Sequence, residues 1–379
     1  MTSRRNFVGT VALSTFAMSV GWVAVARESA PVRWAGYANA FAIDGASGAE
    51  VLETKEDDPE YAGMLQALRD CGITGVIATI PPAGGSRYAD KQFADAKQRI
   101  ADWTSGIARH PDLLVLVRGR ADLERAKRER RVGVIYAFQG AEPIADEIDR
   151  VAIFREAGVR VIQLTHNKRN LVGDGCQEPG NAGLSKFGHQ LVERLNAERM
   201  VVDLAHGSQR TMREGILASK QPVLISHSGC RALADTTRLT SDAELKLLAN
   251  RGGVVGIIYW PYLRVHGQQT SADVVRHIEH AINVCGEDHV GIGTDQRITP
   301  EPTAPEALKA NAAMIKAFIA DGVFAKGRDP DLTLYPTDLN VPNHLQALAD
   351  KLATRGFSDA RIEKVIGGNF ARVMSEVWG

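Results

Sequence analysis

Met200-Val201-Val202-Asp203-Leu204-Ala205-His206 and then Pro222-Val223-Leu224-Ile225-Ser226-His227 repeat one pattern, an apolar run that closes on a polar residue. Runs that are apolar throughout, instead of alternating, suit parallel strands covered on both faces. Working outward, comparable runs fall at 41–46, 75–80, 113–119, 132–138, 159–165, 252–259 and 290–295, with amphipathic stretches between them. Such alternation is expected of repeated β-α units around a parallel sheet. The nine runs are one more than a closed eight-stranded barrel needs. Run 113–119 is assigned as an extra edge strand, because only a short charged helix at 121–130 separates it from 132–138.

An open doubly wound sheet would show the same runs, and the polar residues favour the barrel. Asp44, Gln139, His166, His206, His227 and Asp295 each sit at or just past the C-terminal end of a different strand. In a barrel those ends converge on one pocket. The expected fold is α/β, a (β/α)8 TIM-like barrel with an extra edge strand and C-terminal helices. Residues 166–184 and 296–338, the second around a helical stretch at 305–321, are long enough to form walls or lids. The tail from about 341 reads as two or three helices with a cap at Ser358-Asp359.

The chain of 379 residues carries 45 Lys plus Arg against 45 Asp plus Glu, so no global field draws it to nucleic acid or an anionic membrane. A small-molecule substrate is the expected partner. Ser3-Arg4-Arg5-Asn6-Phe7-Val8, a weakly apolar stretch and Ala24-Val25-Ala26 resemble a twin-arginine signal with a small-x-small cleavage site. Residues 1–26 are therefore read as a cleaved signal peptide and 27–379 as the barrel domain, an uncleaved membrane anchor being the competing reading because the apolar stretch nearly reaches spanning length. Delivery to the periplasm by the twin-arginine export machinery follows. Cys71, Cys176, Cys230 and Cys285 show no CxxC pairing, which argues against a thiolate zinc site. An oxidising compartment would permit disulfides, whose pairing the spacing leaves open.

His206 and His227 close successive strands, where neutral imidazoles can bind a divalent metal. Asp295 ends Val290-Gly291-Ile292-Gly293-Thr294-Asp295 and could move a proton between water and a leaving amine. A helix cap is the competing role for Asp295, although the proline-rich sequence that follows disfavours it.

Further stretches extend the pattern: Leu164-Thr165-His166-Asn167 with Asn170-Leu171, Gly183-Leu184-Ser185 with Phe187-Gly188, Ile225-Ser226-His227-Ser228, Gly252-Gly253-Val254-Val255-Gly256 and Gly367-Gly368-Asn369-Phe370. Together with Val202–His206 and Gly291–Asp295, this ordered set resembles the membrane (renal) dipeptidase family from about residue 38 to the end. That family comprises zinc hydrolases with a (β/α)8 barrel in the amidohydrolase superfamily, and its members often pair as homodimers. The resemblance implies that His206 and His227 hold one zinc and His166 stabilises the tetrahedral intermediate. It also implies that Arg238 grips the substrate carboxylate and Asp295 transfers the proton.

The departures concern the other metal. The family places His-x-Asp at the end of the first strand and a bridging Glu after the third. Here Ala46 and Gly48 stand in place of the first pair and Gln139 in place of the bridge. Methyl and hydrogen cannot ligate, and a neutral amide leaves two adjacent dications to repel. At most one zinc is therefore expected, with His206, His227 and a third ligand such as Asp295, Gln139 or water. A dinuclear centre is not. Among nearby carboxylates, Asp44 is expected to point away from the pocket by strand alternation, leaving Glu142.

Three readings follow. The first is an exported dipeptidase-like hydrolase acting on a small peptide, amide or amino-acid-derived metabolite with at most one metal. The second is a metal-independent acid-base enzyme of lyase or isomerase type in the same pocket. The third is a non-catalytic binding protein of the cell envelope, since fold alone does not establish activity.

Overall fold

In the computed structural model, which describes residues 33–80 and 89–379, every long apolar run becomes a short buried strand. In chain order the strands are β1 Ile43–Gly48, β2 Gly75–Thr79, β3 Leu114–Leu116, β4 Val132–Phe138, β5 Val159–Gln163, β6 Val201–Asp203, β7 Leu224–Ser228, β8 Val254–Ile257, β9 Val290–Ile292 and β10 Gln296–Arg297. β1, β2, β4, β5, β6, β7, β8 and β9 pair in that order, all parallel. Asp44 opposite Ile292 joins the last to the first and closes the eight-stranded barrel. The (β/α)8 expectation holds. The signal-peptide reading concerns residues 1–26, which lie outside the described residues. Among the described residues no helix is long and apolar enough to cross a membrane.

The edge position of β3 has a geometric cause. β3 pairs with Val132, Gly133 and Val134 of β4, while β5 takes Tyr136, Ala137 and Phe138 on the same strand. One flank of β4 is thus shared, and only β5 continues the wall. Some boundaries differ from the sequence reading. β1 runs on to Gly48 because β10 pairs with Ser47 and Gly48. β6 stops at Asp203, three residues before His206, because the chain turns there, with His206 at a left-handed φ of 59°.

The barrel interior is packed, not hollow. Ile43, Ile77, Ile135, Val161, Val201, Leu224 and Val254 form one apolar cluster with Phe370, Val373, Met374 and Val377. The latter four recur at i, i+3, i+4 and i+7 on the C-terminal helix Asn369–Trp378, the stripe that lets one helix face bury against the barrel foot. Phe370 inserts between strands whose facing residues are glycine. A Cβ on Gly291 would fall 2.4 Å from its ring. Asn369 fixes the insertion by donating to the carbonyls of Glu287 and Val290, each at 2.8 Å. The expected tail appears as helices at 344–354, 359–363 and 369–378, and Ser358 caps the second by accepting from the Arg361 amide.

All four cysteines are buried and unpaired.

Candidate active site

The strand ends bring one cluster of polar side chains together at the C-terminal face of the barrel. His206 follows β6 and His227 lies on β7, and their Nε2 atoms face each other at 2.8 Å. An Asp295 carboxylate oxygen completes the group, with all three ligand atoms within 4.8 Å of one another. Asp295 is no helix cap: it sits between β9 and β10 at a left-handed φ of 57°. Its amide donates to the Ala46 carbonyl at 2.8 Å, and the Trp260 indole donates to its carbonyl at 2.7 Å. Non-glycine residues in this conformation carry strain of order 1 kcal/mol or more, and such strain concentrates at functional sites. His206 and Asp295 share it.

Hydrogen bonds fix the protons on the two imidazoles. Ser226 Oγ donates its one proton to Asp203 Oδ2 at 2.5 Å, so it can only accept from His227 Nδ1, 2.8 Å away. His206 Nδ1 lies 2.7 Å from Asn167 Oδ1, an acceptor. Both rings therefore carry hydrogen on Nδ1, and both Nε2 lone pairs point at the same spot. Two lone pairs 2.8 Å apart repel unless a cation lies between them. Metal-bound histidines are held in this way, with the distal nitrogen donating to an outer acceptor. The donor set fits one divalent ion.

Gln139, just past β4, donates through Nε2 to Asp295 Oδ1 at 3.2 Å. Ala46 and Gly48 lie on β1, without a side-chain ligand atom. Among the described residues, the cluster of His206, His227 and Asp295 is the one candidate metal-holding group. The Asp44 carboxylate is fully buried and accepts from the Thr294 amide and hydroxyl at 2.8 and 2.6 Å, bracing the turn that carries Asp295. Glu142 accepts from Asn170 at 3.1 Å.

Charge shapes the pocket. Arg238 is 4% exposed, donates from Nη1 to the His227 carbonyl at 3.0 Å and leaves Nε and Nη2 buried without partners. Burial, then the Arg238 guanidinium, holds the His166 imidazole down to about 4, so it is neutral at pH 7. The same causes push His206 and His227 well below the usual imidazole range. Burial raises Asp295 to about 6 against the opposing pull of Arg238 and the Gln139 bond. His166 stacks on His206 with ring centroids 4.2 Å apart. The 296–338 excursion supplies a wall: Trp260 stacks on Tyr262 at 6.0 Å and meets Phe318 and Phe324 at 5.8 and 6.4 Å.

All five predicted residues converge here, along with partners to which the sequence reading gave no role: Asn167, Asp203, Ser226, Asp44, Thr294 and Trp260. Asp203 and Ser226 alone among these had a local signal, as polar residues beside each histidine in Asp203-Leu204-Ala205-His206 and Ser226-His227.

The family profile described as Membrane dipeptidase (Peptidase family M19) matches residues 49–323. The chain belongs to that family. Membership places it among dipeptidase-like hydrolases, the class to which the strand-end motifs pointed. A curated relative, Dipeptidase verJ of Clonostachys rogersoniana, is 30% identical over 326 residues, covering 83% of this chain and 75% of its own. A crystal structure described as an amidohydrolase from Pseudomonas aeruginosa superposes with a TM-score of 0.76 at 30% identity, over 90% of this chain and 98% of that one. The probable dipeptidase PvdM from the same organism shares the fold with a TM-score of 0.72 at 20% identity, over 90% and 96%.

Proposed function

We propose that this chain is an exported hydrolase with a single metal ion that cleaves the amide bond of a small, carboxylate-bearing, amino-acid-derived substrate. The observation that carries the reading is the convergence of two Nε2 lone pairs, each with its Nδ1 proton engaged elsewhere, beside the Asp295 carboxylate. His206, His227 and Asp295 would hold the ion. A bound zinc ion supplies Lewis acidity to a carbonyl and lowers the pKa of water. Positions 46, 48 and 139 offer methyl, hydrogen and amide, so nothing there builds a second site.

The chain's own residues account for the remaining work. Arg238 has two buried N–H groups without partners, which suit a carboxylate held by the fork of the guanidinium. Neutral His166 offers a hydrogen-bond donor to the oxyanion that develops on the scissile carbonyl. The Asp295 carboxylate would take a proton from the attacking water and return it to the departing amine as the C–N bond breaks.

The test is elemental analysis of protein purified from the periplasm, joined to hydrolysis of a dipeptide panel with and without a chelator. One ion per chain and turnover lost on chelation are expected. Two ions per chain overturn the single-metal reading, and turnover that survives chelation favours metal-independent acid-base chemistry instead. Export is tested separately by fractionating cells that express Arg4→Lys, Arg5→Lys, which should hold the protein in the cytoplasm.

A further inference from the structure

The two histidines are oriented by different means. Behind His206 stands a neutral amide, Asn167, whose Oδ1 also accepts from the Cys176 thiol at 3.4 Å. Behind His227 stands a hydroxyl and behind that a buried carboxylate. Asp203 is held in turn by the Ala205 and Ser226 amides, which donate to its Oδ1 at 3.0 and 2.9 Å. Its Oδ2 takes the Ser226 hydroxyl proton. As a carboxylate Asp203 can only accept, so the direction of every hydrogen bond in this chain is set at its buried end.

We propose that Asp203 is a positioning residue that acts through Ser226 to fix His227 as the Nδ1–H tautomer, keeping Nε2 as a free lone pair aimed at the metal position. This rests on the reading of the site as a single-metal centre, but the tautomer can be measured without metal. Asp203 touches neither substrate nor metal position. Its influence is polarity passed along two hydrogen bonds.

An isosteric substitution shows how specific this role is. In Asp203→Asn the amide oxygen would keep the Ala205 and Ser226 amides, and the new NH2 would face Ser226 Oγ. The amide then donates where the carboxylate accepted. Ser226 must turn its proton toward His227 Nδ1, which becomes an acceptor, and the ring proton moves to Nε2. There it meets the His206 Nε2 lone pair 2.8 Å away and makes a good hydrogen bond. The variant would lose no buried hydrogen bond, yet its metal position would be occupied by a proton. Ser226→Ala would instead cut the chain and leave His227 Nδ1 without its acceptor.

The test is nitrogen-15 NMR of the imidazoles in metal-stripped wild type, Asp203→Asn and Ser226→Ala, together with zinc titration of all three at pH 7.5. Wild type should show Nδ1–H on both rings. Asp203→Asn should show Nε2–H on His227 and bind zinc about 100-fold more weakly, with an unchanged far-UV spectrum. Ser226→Ala should weaken zinc binding about 10-fold, the lower end for loss of an outer-shell partner. Wild-type zinc affinity retained in Asp203→Asn, or an unchanged His227 tautomer, overturns the proposal. A wild type that binds no zinc but whose tautomer switches in Asp203→Asn overturns the single-metal reading and leaves the positioning role standing.

Discussion

Packing at the barrel foot makes a quantitative prediction about Gly291 and Phe370. A Cβ at 291 would lie 2.4 Å from Phe370 Cε2, 2.7 Å from Cδ2 and 3.3 Å from Cζ, and no other residue supplies its three nearest atoms. Carbon atoms pack best at about 3.5–4.0 Å, so the ring would have to retreat by about 1 Å. In a close-packed interior, overpacking of this kind costs about 1–3 kcal/mol. Phe370→Ala alone opens a cavity and should cost about 3–5 kcal/mol. If the effects were independent, Gly291→Ala with Phe370→Ala would lose about 4–8 kcal/mol. Instead, the alanine methyl at 291 enters space the ring has left, so the clash vanishes and the double variant should resemble Phe370→Ala. The expected coupling is about 1–3 kcal/mol of relief. Gly45 is the control: its Cβ would meet Phe370 at 2.5 Å but also the Ser226 carbonyl at 2.8 Å, so relief there should be partial. Urea unfolding followed by tryptophan fluorescence gives each free energy. Additive losses in the 291/370 pair would refute the view that Phe370 fills the space the glycine leaves.

His277 gives a pH signature away from the pocket. Its Nδ1 accepts from the Cys230 amide at 2.9 Å and its Nε2 donates to the Leu263 carbonyl at 2.9 Å, so the fold requires the neutral ring, and burial lowers it to about 4. The unfolded chain binds this proton from about pH 6.5 downward, so stability should be intact above that value, fall between 6.5 and 4, and level off below. The loss should be roughly 3 kcal/mol, read as the difference in pH dependence of melting between wild type and His277→Gln; parallel curves would refute it. Arg238→Met should raise KM for carboxylate substrates about 10- to 100-fold, the worth of charged hydrogen bonds, and an unchanged KM would remove the residue from substrate binding. Ala46→His, Gly48→Asp and Gln139→Glu together should raise metal content from one ion per chain to two by elemental analysis. At Gly48 a Cβ meets nothing closer than 3.8 Å, so the aspartate has room, and content fixed at one would refute this account of the missing site.

Much of this arrangement was legible because strand-end residues announce themselves locally. An unbroken apolar run closing on His, Gln or Asp identifies both a barrel strand and its contribution to the site, and His166, His206, His227 and Asp295 converge as that logic requires; Arg238, in the loop after β7, was implied by the family resemblance alone. What escaped depends on register. Ser226 reaches Asp203 only because β6 and β7 lie side by side, and nothing near Asp44 in sequence says that its acceptor oxygens serve Thr294. The extension of β1 to Gly48 likewise depends on β10, a two-residue strand too short to carry a period. Trp260 meets Tyr262 of the short helix Pro261–Leu263 and Phe318 of the helix Pro305–Ala320, a contact between separate segments that no local repeat could display. Asp44 was expected to turn from the pocket; its alternation was readable, but its task was not.

The bond between Asp44 and Thr294 spans 250 positions of the chain. Contacts of such separation are costly in loop entropy and tend to form late. Thr294 immediately precedes Asp295, so the third member of the candidate metal cluster is fixed only when the final barrel strand docks on the first. The histidines of β6 and β7 can assemble earlier, as a two-ligand site of low affinity. Tight metal retention would then report that the circle is complete, and a chain stalled before that step would give up its ion.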